Sequence, residues 1–273
     1  MIHLGTAGWN YKHWRGVFYP RDVENELEFY SKHSKFNEVN NTFYRIPSES
    51  MIRIWYHYTP DDFIFCAKLN REITHSNKFK LEIIKLYFSR MNSLEQKLQS
   101  VLIQFPPRFK RTPESYHLLT QILEECANQY SGQLVLELRN KSWFSEELKD
   151  LLQERNIVLA DTTNLSIAPE FYNLSTSTYY IRLLGDRKQI PDEMLGRIQL
   201  DKKVELNEWT QKLISLNSQY QQIFVVINNR FSGYAINDAI ELQRHLNKEN
   251  INVQGFENQY GHVTRHMSLS EFF

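Results

Sequence analysis

Eight short apolar runs recur along the chain, and nearly every one is followed by a helical stretch. They cover residues 2–9, 36–39, 63–68, 101–104, 134–139, 157–161, 179–184 and 223–229. Regular alternation of strand and helix implies parallel pairing with right-handed crossovers. Continuously apolar strands are typical of a sheet that is covered on both faces. The pattern predicts an α/β fold, a TIM (β/α)8 barrel, with a doubly wound open sheet as the alternative.

Helices are predicted between these strands at residues 26–33, 48–58, 78–98, from 113 onward, 144–154, 203–216 and 234–246. The chain has 273 residues, a length that one barrel can account for. We expect a single barrel domain at residues 1–249. Residues 250–273 fall outside the eight units and are predicted to be an extension that packs on the barrel or on a partner.

The balance of charged residues excludes a strong electrostatic field of one sign around the whole protein. Lys and Arg together number 32, as do Asp and Glu, so the net charge attracts neither nucleic acid nor a membrane surface. Two cysteines are too few for a disulfide framework. No signal peptide is recognisable, and no apolar run reaches the ~20 residues that span a bilayer. We expect a cytoplasmic protein without membrane contact.

Polar residues cluster at the predicted strand ends. In a barrel of this kind the reactive groups lie at the C-terminal ends of the strands. Those ends carry Trp9, Glu38, Asn40, Lys68, Gln104, Glu137, Arg139, Asp161, Arg182, Asn228 and Asn229. A network is expected in which the cations Lys68, Arg139 and Arg182 meet the carboxylates Glu38, Glu137 and Asp161. The alternative is a layer of ion pairs that only closes the barrel.

The loops beyond the strand ends are rich in arginine. They contribute Arg15, Arg45, Arg71, Arg108 and Arg230. Arginine gives bidentate contacts to phosphate or carboxylate, so the pattern favours an anionic ligand. Aromatic side chains that could stack on bases or sugar rings are Trp9, Trp14, Phe43, Tyr44, Trp143 and Tyr234, although each alone is more typical of loop packing. The catalytic candidates are Glu137, Asp161 and Lys68; the binding candidates are Trp9, Asn40, Tyr44, His75, Gln104, Arg139, Arg182, Asn228 and Asn229.

Metal chemistry has weak support in the sequence, and no cofactor is expected. No HExxH motif occurs among the nine histidines. His262 and His266 are four residues apart, which would suit a metal if they were helical. The strand-end carboxylates could hold Mg²⁺, but Lys68 and Arg139 would compete as counter-charges.

A series of motifs resembles the family called domain of unknown function 72, or YecE-like. The matching segments are Gly5–Trp9, Trp14–Gly16, Phe18–Pro20, Glu38–Tyr44, Ala67–Lys68, Ile73–His75, Gln104–Pro107, Glu137–Arg139, Ser142–Trp143, Asp161, Tyr180–Leu183, Asn228–Asn229 and Gly233–Ala235. The resemblance covers about residues 1–246 and implies a TIM barrel. It implies little about activity, because the family is named for its lack of an assigned function.

The chain departs from that family's pattern at three places. Leu184 stands where the family usually has a histidine, Asn140 and Lys141 replace a usual His-Pro, and Arg230 replaces a usual aspartate. These changes weaken any mechanism that needs a histidine base or a third carboxylate there. They also make the strand-end region more basic than is typical.

Three functions follow from these residues, in order of preference. The first is an enzyme, a hydrolase or lyase, acting on a phosphorylated or nucleic-acid substrate, with Glu137 or Asp161 as general base or with Lys68 as a Schiff-base lysine. The second is a glycosidase using two carboxylates, such as Glu38 and Glu137. The third is a non-catalytic protein that binds nucleic acid or a small anion. The fold alone does not choose among them.

Overall fold

A closed parallel barrel forms the centre of the computed structural model, which describes residues 1–165, 167, 171 and 176–256. The strands are β1 (Ile2–Ala7), β2 (Phe36–Val39), β3 (Ile64–Lys68), β4 (Leu98–Gln104), β5 (Gln133–Glu137), β6 (Val158–Thr162), β7 (Thr178–Leu183), β8 (Gln222–Ile227) and β9 (Val253–Gln254). Strands β1 to β8 pair in chain order, and β1 closes the ring by pairing with both β2 and β8. The predicted TIM barrel is confirmed.

Helices connect the strands and surround the barrel. They are α1 (Glu26–His33), α2 (Asn41–Tyr44), α3 (Glu49–His57), α4 (Arg71–Thr74), α5 (Leu81–Met91), α6 (Pro113–Gln129), α7 (Glu146–Glu154), α8 (Lys203–Asn217) and α9 (Ala235–Lys248). The helix predicted at 78–98 is wrong at both ends. It starts three residues later, and a 3₁₀ turn at Asn92–Lys97 ends it, where Glu95 adopts φ 51° before β4 begins.

Side-chain caps explain where several helices begin. Asn25 accepts hydrogen bonds from two backbone amides of α1, and Ser48 and Ser145 each accept one at the start of α3 and α7. Thr112 forms a reciprocal capping box with Ser115, immediately before the proline at the first position of α6. Such caps satisfy amides that have no partner within the helix.

Strand alternation divides the apolar residues into two layers. One layer fills the barrel and includes Phe36, Cys66, Val135, Ala160 and Tyr180. The intervening residues point outward and pack against the helices in a larger cluster. Side chains two apart on a strand share a face. The inward layer therefore determines which residues reach the barrel mouth, the opening at the C-terminal ends of the strands.

The chain after α9 returns to the barrel. Strand β9 pairs in parallel with the start of β1. Gln243 then fixes the following segment, donating to the carbonyl of Phe256 at 2.8 Å and accepting from its amide at 2.7 Å. Residues 257–273 lie outside the described residues, as do His262 and His266, so a boundary near residue 249 stays a prediction. Among the described residues, no helix has both the length and the apolar character needed to cross a bilayer.

Candidate functional site

Strand register determines which polar side chains form the bottom of the barrel mouth, which we call the floor. Each of five side chains lies two residues beyond a residue of the inward apolar layer and so continues that layer upward. These are Glu38 on β2, Lys68 on β3, Gln104 on β4, Glu137 on β5 and Arg182 on β7. The expected convergence of strand ends is therefore present for these five residues.

Arg182 is the hub of this floor. Its guanidinium donates to both carboxylate oxygens of Glu38, through Nε at 2.8 Å and Nη2 at 2.7 Å, and through Nη1 to Glu137. Glu38 also accepts from the hydroxyl of Tyr180 at 3.0 Å and from Asn40 Nδ2 at 3.1 Å. Both carboxylates and Arg182 are almost completely buried. This part of the expected network is formed, and every buried charge in it is paired.

Arg139 links the buried floor to the cavity. Its Nε donates to Glu137, whose pKa is lowered to about 2: the attraction of Arg182, Arg139 and Lys68 outweighs the larger single effect of burial, which raises it. The rest of the Arg139 guanidinium lies at the cavity surface and makes no hydrogen bond to the described residues. Such a fork can bind a phosphate or carboxylate.

Lys68 has a different environment from the other cations of the floor. Its Nζ donates to Gln104 Oε1 at 2.6 Å and lies 4.1 Å above the centre of the Phe43 ring. No described carboxylate lies within 4.0 Å of it, although only 8 % of the residue is exposed. Burial, followed by repulsion from Arg182, lowers its pKa to about 7. The expected ion pairing of Lys68 was wrong, because Arg182 and Arg139 occupy the carboxylates.

A cavity of about 560 Å³ opens above this floor. The predicted binding residues that line it are Trp9, Asn40, Tyr44, His75, Gln104, Arg139, Arg182 and Asn228, and the catalytic candidate Lys68 lines it as well. Leu184 and Arg230, two of the positions that depart from the family pattern, line it as well. The structure thus brings most of the predicted site into one space.

The rim of the cavity carries further arginines. Arg187 and Arg230 share a single carboxylate, that of Asp192. The buried Nε of Arg230 has no hydrogen-bond partner among the described residues. Five cations line the cavity: Lys68, Arg139, Arg182, Arg187 and Arg230. The four arginines pair with three carboxylates, those of Glu38, Glu137 and Asp192, so the described part of the site has an excess of two positive charges when Lys68 is protonated.

Aromatic side chains form one wall. Phe43 contacts Lys68 on its face and packs edge-on against His75, with ring centres 4.9 Å apart. Tyr44 stands at the rim and is 70 % exposed. Burial and the nearby cations lower the pKa of His75 to about 4, so this histidine is neutral at neutral pH. Trp14 and Trp143, by contrast, are fully buried and take no part in the cavity.

Asp161 was expected in this network and lies elsewhere. It is adjacent in sequence to the inward-facing Ala160, so its side chain points outward, toward the helices. There it accepts from the hydroxyl of Tyr179 at 2.9 Å and pairs with Lys212 on α8. It lines a second cavity, of about 580 Å³, beside α8. The prediction that Asp161 meets Lys68, Arg139 and Arg182 was therefore wrong by one residue of register.

The two asparagines after β8 have different roles. Asn228 lines the mouth cavity, and its Oδ1 accepts from the amide of Arg230 at 2.9 Å. Asn229 is buried and accepts from Trp14 Nε1 at 3.1 Å and from the amide of Ala235 at 3.0 Å. Asn229 thus holds the loop in place and does not line the cavity.

The loop arginines were only partly predicted. Of the five expected near the mouth, Arg230 lines the cavity, whereas Arg15, Arg45, Arg71 and Arg108 do not. Arg187, Asp192 and Tyr11 line it and were missed. They lie in the connections that follow β1 and β7, and strand periodicity does not encode the course of these connections. The Asp-Arg pair directly after Gly185 was the available signal for Arg187.

Groups of three or more His, Cys, Asp or Glu side chains arranged to hold a metal do not occur in the described ranges. The strand-end carboxylates that were considered for Mg²⁺ are instead bonded to arginine or lysine side chains. The expectation about cofactors stays a prediction.

Comparisons with known proteins agree with this fold and with these motifs. A family described as "Protein of unknown function DUF72" matches residues 3–260. The protein YunF of Bacillus subtilis is 25% identical over 284 residues, covering 91% of this chain and 96% of that protein. YecE of Escherichia coli K12 is 27% identical over 126 residues, 45% of this chain and 44% of that protein.

Solved structures of DUF72 proteins have the same architecture. One from Thermotoga maritima has a TM-score of 0.74 at 25% identity and covers 90% of this chain and 99% of its own. One from Enterococcus faecalis has a TM-score of 0.73 at 20% identity, covering 94% and 98%. With the family match spanning nearly the whole sequence, the chain belongs to the DUF72 family of TIM-barrel proteins.

Proposed function

We propose that the protein binds a small ligand bearing a phosphate or carboxylate group in the mouth cavity. The observation that carries this proposal is Lys68, a buried amine whose protonated form has no carboxylate partner among the described residues. A buried charge is costly unless it is compensated, and an anion in the cavity would supply the compensation. The outer edge of Arg139, which lies at the cavity surface, adds donors for the same class of ligand.

The shape of the site favours a small ligand over a long polymer. The basic groups surround the mouth cavity, whose volume of about 560 Å³ is suited to one small molecule. The whole chain has no net charge, whereas binding to nucleic acid depends on many phosphate contacts. We therefore rank a small anion above nucleic acid.

The glycosidase alternative has less support. That reaction needs one carboxyl group that holds its proton near neutral pH. The pKa of Glu137 is instead lowered to about 2, and both Glu38 and Glu137 are buried and bonded to Arg182. The same low pKa makes Glu137 a weak general base, which leaves Lys68 as the candidate with the most suitable reactivity for an enzymatic role.

The test is calorimetric titration with inorganic phosphate, glucose 6-phosphate and glucose. We expect saturable binding of the two phosphates and none of glucose. Binding should weaken by roughly tenfold in Lys68→Met, because one charge-assisted contact is lost. Lys212→Arg, outside the mouth, is the control and should bind phosphate normally. Absence of phosphate binding by the wild-type protein would refute the proposal.

A further inference from the structure

The position of Lys68 suits a reactive amine as well as a cation that binds an anion. Among the described residues it is the only lysine that lines the mouth cavity. Two other lysines have a carboxylate partner or two carbonyl partners. Lys212 pairs with Asp161, and the buried Lys97 donates to the carbonyls of Tyr56 and Thr59, each at 2.7 Å. Within the described part of the chain, Lys68 has a single hydrogen-bond acceptor, Gln104 Oε1, so the rest of its amine is available to a ligand.

The groups around Lys68 favour its neutral form. Burial is the largest effect, and Arg182 and Arg139 repel the ammonium, whereas Glu137 and Glu38 attract it. Those carboxylates are already bonded to the two arginines, which reduces their hold on Lys68. His75, also near, has its pKa lowered to about 4 and adds no charge at neutral pH. A pKa of about 7 leaves a large fraction of Lys68 as free amine under physiological conditions.

We propose that Lys68 forms an imine with a small carbonyl compound that also carries a phosphate or carboxylate group. This inference rests on the proposed function, since the arginines would hold the anionic group while the carbonyl carbon faces Nζ. A site for anion binding alone would be served by arginine, whose guanidinium is not nucleophilic. A desolvated lysine beside cationic groups is the arrangement that activates an amine for this chemistry.

Imine formation makes one C–N bond and breaks the C–O bond of the carbonyl group. The lone pair of the neutral amine attacks the carbonyl carbon, forming a C–N bond and a carbinolamine. The former carbonyl oxygen takes one proton from the nitrogen and one from solvent and leaves as water. The nitrogen keeps its second proton, giving a cationic imine. The hydrogen bond from Nζ to Gln104 fixes the amine while the lone pair is directed at the ligand.

The test is reductive trapping on the full-length protein. Wild-type protein is incubated at pH 7 with pyruvate, glyceraldehyde 3-phosphate or acetone, with and without sodium cyanoborohydride. The site of any stable secondary amine is mapped by peptide mass spectrometry. Lys68→Arg keeps the charge and removes the primary amine, and Lys68→Met is the second variant in case the larger arginine disturbs the fold. Lys212→Arg is the matched control, since it makes the same change at a lysine of the neighbouring cavity.

We expect a reductant-dependent adduct on Lys68 with pyruvate or glyceraldehyde 3-phosphate, at least tenfold above that with acetone, and suppressed by inorganic phosphate. The adduct should be absent from both Lys68 variants and unchanged in Lys212→Arg. A protein that binds phosphate but shows no preferential adduct at Lys68 would overturn the imine and leave the proposed function standing. Labelling of Lys68 that is as strong with acetone as with the two anionic compounds, without phosphate binding or suppression, would overturn the proposed function, and with it this inference.

Discussion

Arg182 on β7 and Glu38 on β2 meet inside the barrel through two hydrogen bonds of 2.8 and 2.7 Å, although 144 residues separate them in the chain. The remaining nitrogen of the same guanidinium, Nη1, donates to Glu137 on β5. One arginine therefore connects three strands at the height of the mouth. The same contacts occupy both buried carboxylates, so that Lys68 has no carboxylate partner among the residues that the structure describes.

Arg182→Met should destabilise the fold strongly. It leaves two buried carboxylates without their main partner, a change that costs roughly 3–5 kcal/mol in comparable buried pairs. Equilibrium unfolding in urea measures the effect. Arg90→Met removes a partly exposed arginine that pairs with Glu49 and should cost less than about 1 kcal/mol. Equal losses in the two variants would show that the buried network has no special role in stability.

Lys68→Met should change how stability depends on pH. In the folded protein the pKa of Lys68 is about 7, below the ordinary value of 10.5. Between these values the unfolded chain binds more protons at this residue than the folded chain does. The contribution of Lys68 to the free energy of unfolding therefore rises with pH across this window, by up to about 1.4 kcal/mol per pH unit. Below about pH 7 its full penalty is present.

The measurement is urea unfolding of the wild-type protein and of Lys68→Met at about pH 6.5, 7.5, 8.5 and 9.5. This series begins just below the folded-state pKa of about 7 and extends toward the ordinary value of 10.5. The stability of the wild type relative to the variant should increase from pH 7.5 upward. A difference that stays constant over this range would mean that the pKa of Lys68 is not lowered.

Strand periodicity was sufficient to predict the barrel and the residues of its floor. Lys68 and Glu137 each end an apolar strand and Glu38 lies one residue before the end of another, and parallel strand ends must converge at one mouth. The inward or outward direction of a side chain depends on register, which is a matter of one residue. Asp161 was misplaced for that reason, since its neighbour Ala160 carries the inward position.

The pairing of charges was harder to predict than their position. The sequence shows which cations and carboxylates reach the mouth, but the forked geometry of Arg182 decides that it takes both glutamates and that Lys68 takes an amide. The rim was also beyond strand periodicity. Arg187 and Asp192 belong to the long connection between β7 and α8, whose path depends on packing against the loop after β8.

Arg139→Gln should weaken phosphate binding. The change removes a cation whose outer edge lines the cavity, and a charge-assisted hydrogen bond contributes about 1.5–3 kcal/mol, so affinity should fall by roughly ten- to a hundredfold. Calorimetry with inorganic phosphate measures it. Arg111→Gln is the control, because Arg111 pairs with Glu147 away from the mouth cavity. If both variants bind like the wild type, Arg139 does not contact the anion.

Gly185→Ala should disturb the mouth through its backbone. A β-carbon at this position would lie 1.5 Å from the carbonyl oxygen of Arg230, so the loop that carries Arg230 must move. We expect a loss of stability greater than about 2 kcal/mol, as for other overpacked sites, together with weaker phosphate binding. Gly16→Ala is the comparison: Gly16 has φ +81°, and the nearest atom to its added β-carbon belongs to the flexible side chain of Arg21.

Because Gly16 lies away from the cavity, its alanine variant should lose only about 1 kcal/mol from the left-handed backbone conformation and should bind phosphate normally. Urea unfolding and phosphate titration of both variants separate the two effects. Normal phosphate affinity in Gly185→Ala, despite its lower stability, would show that the position of Arg230 does not matter for the anion. Reduced affinity in Gly185→Ala alone would place Arg230 among the groups that hold it.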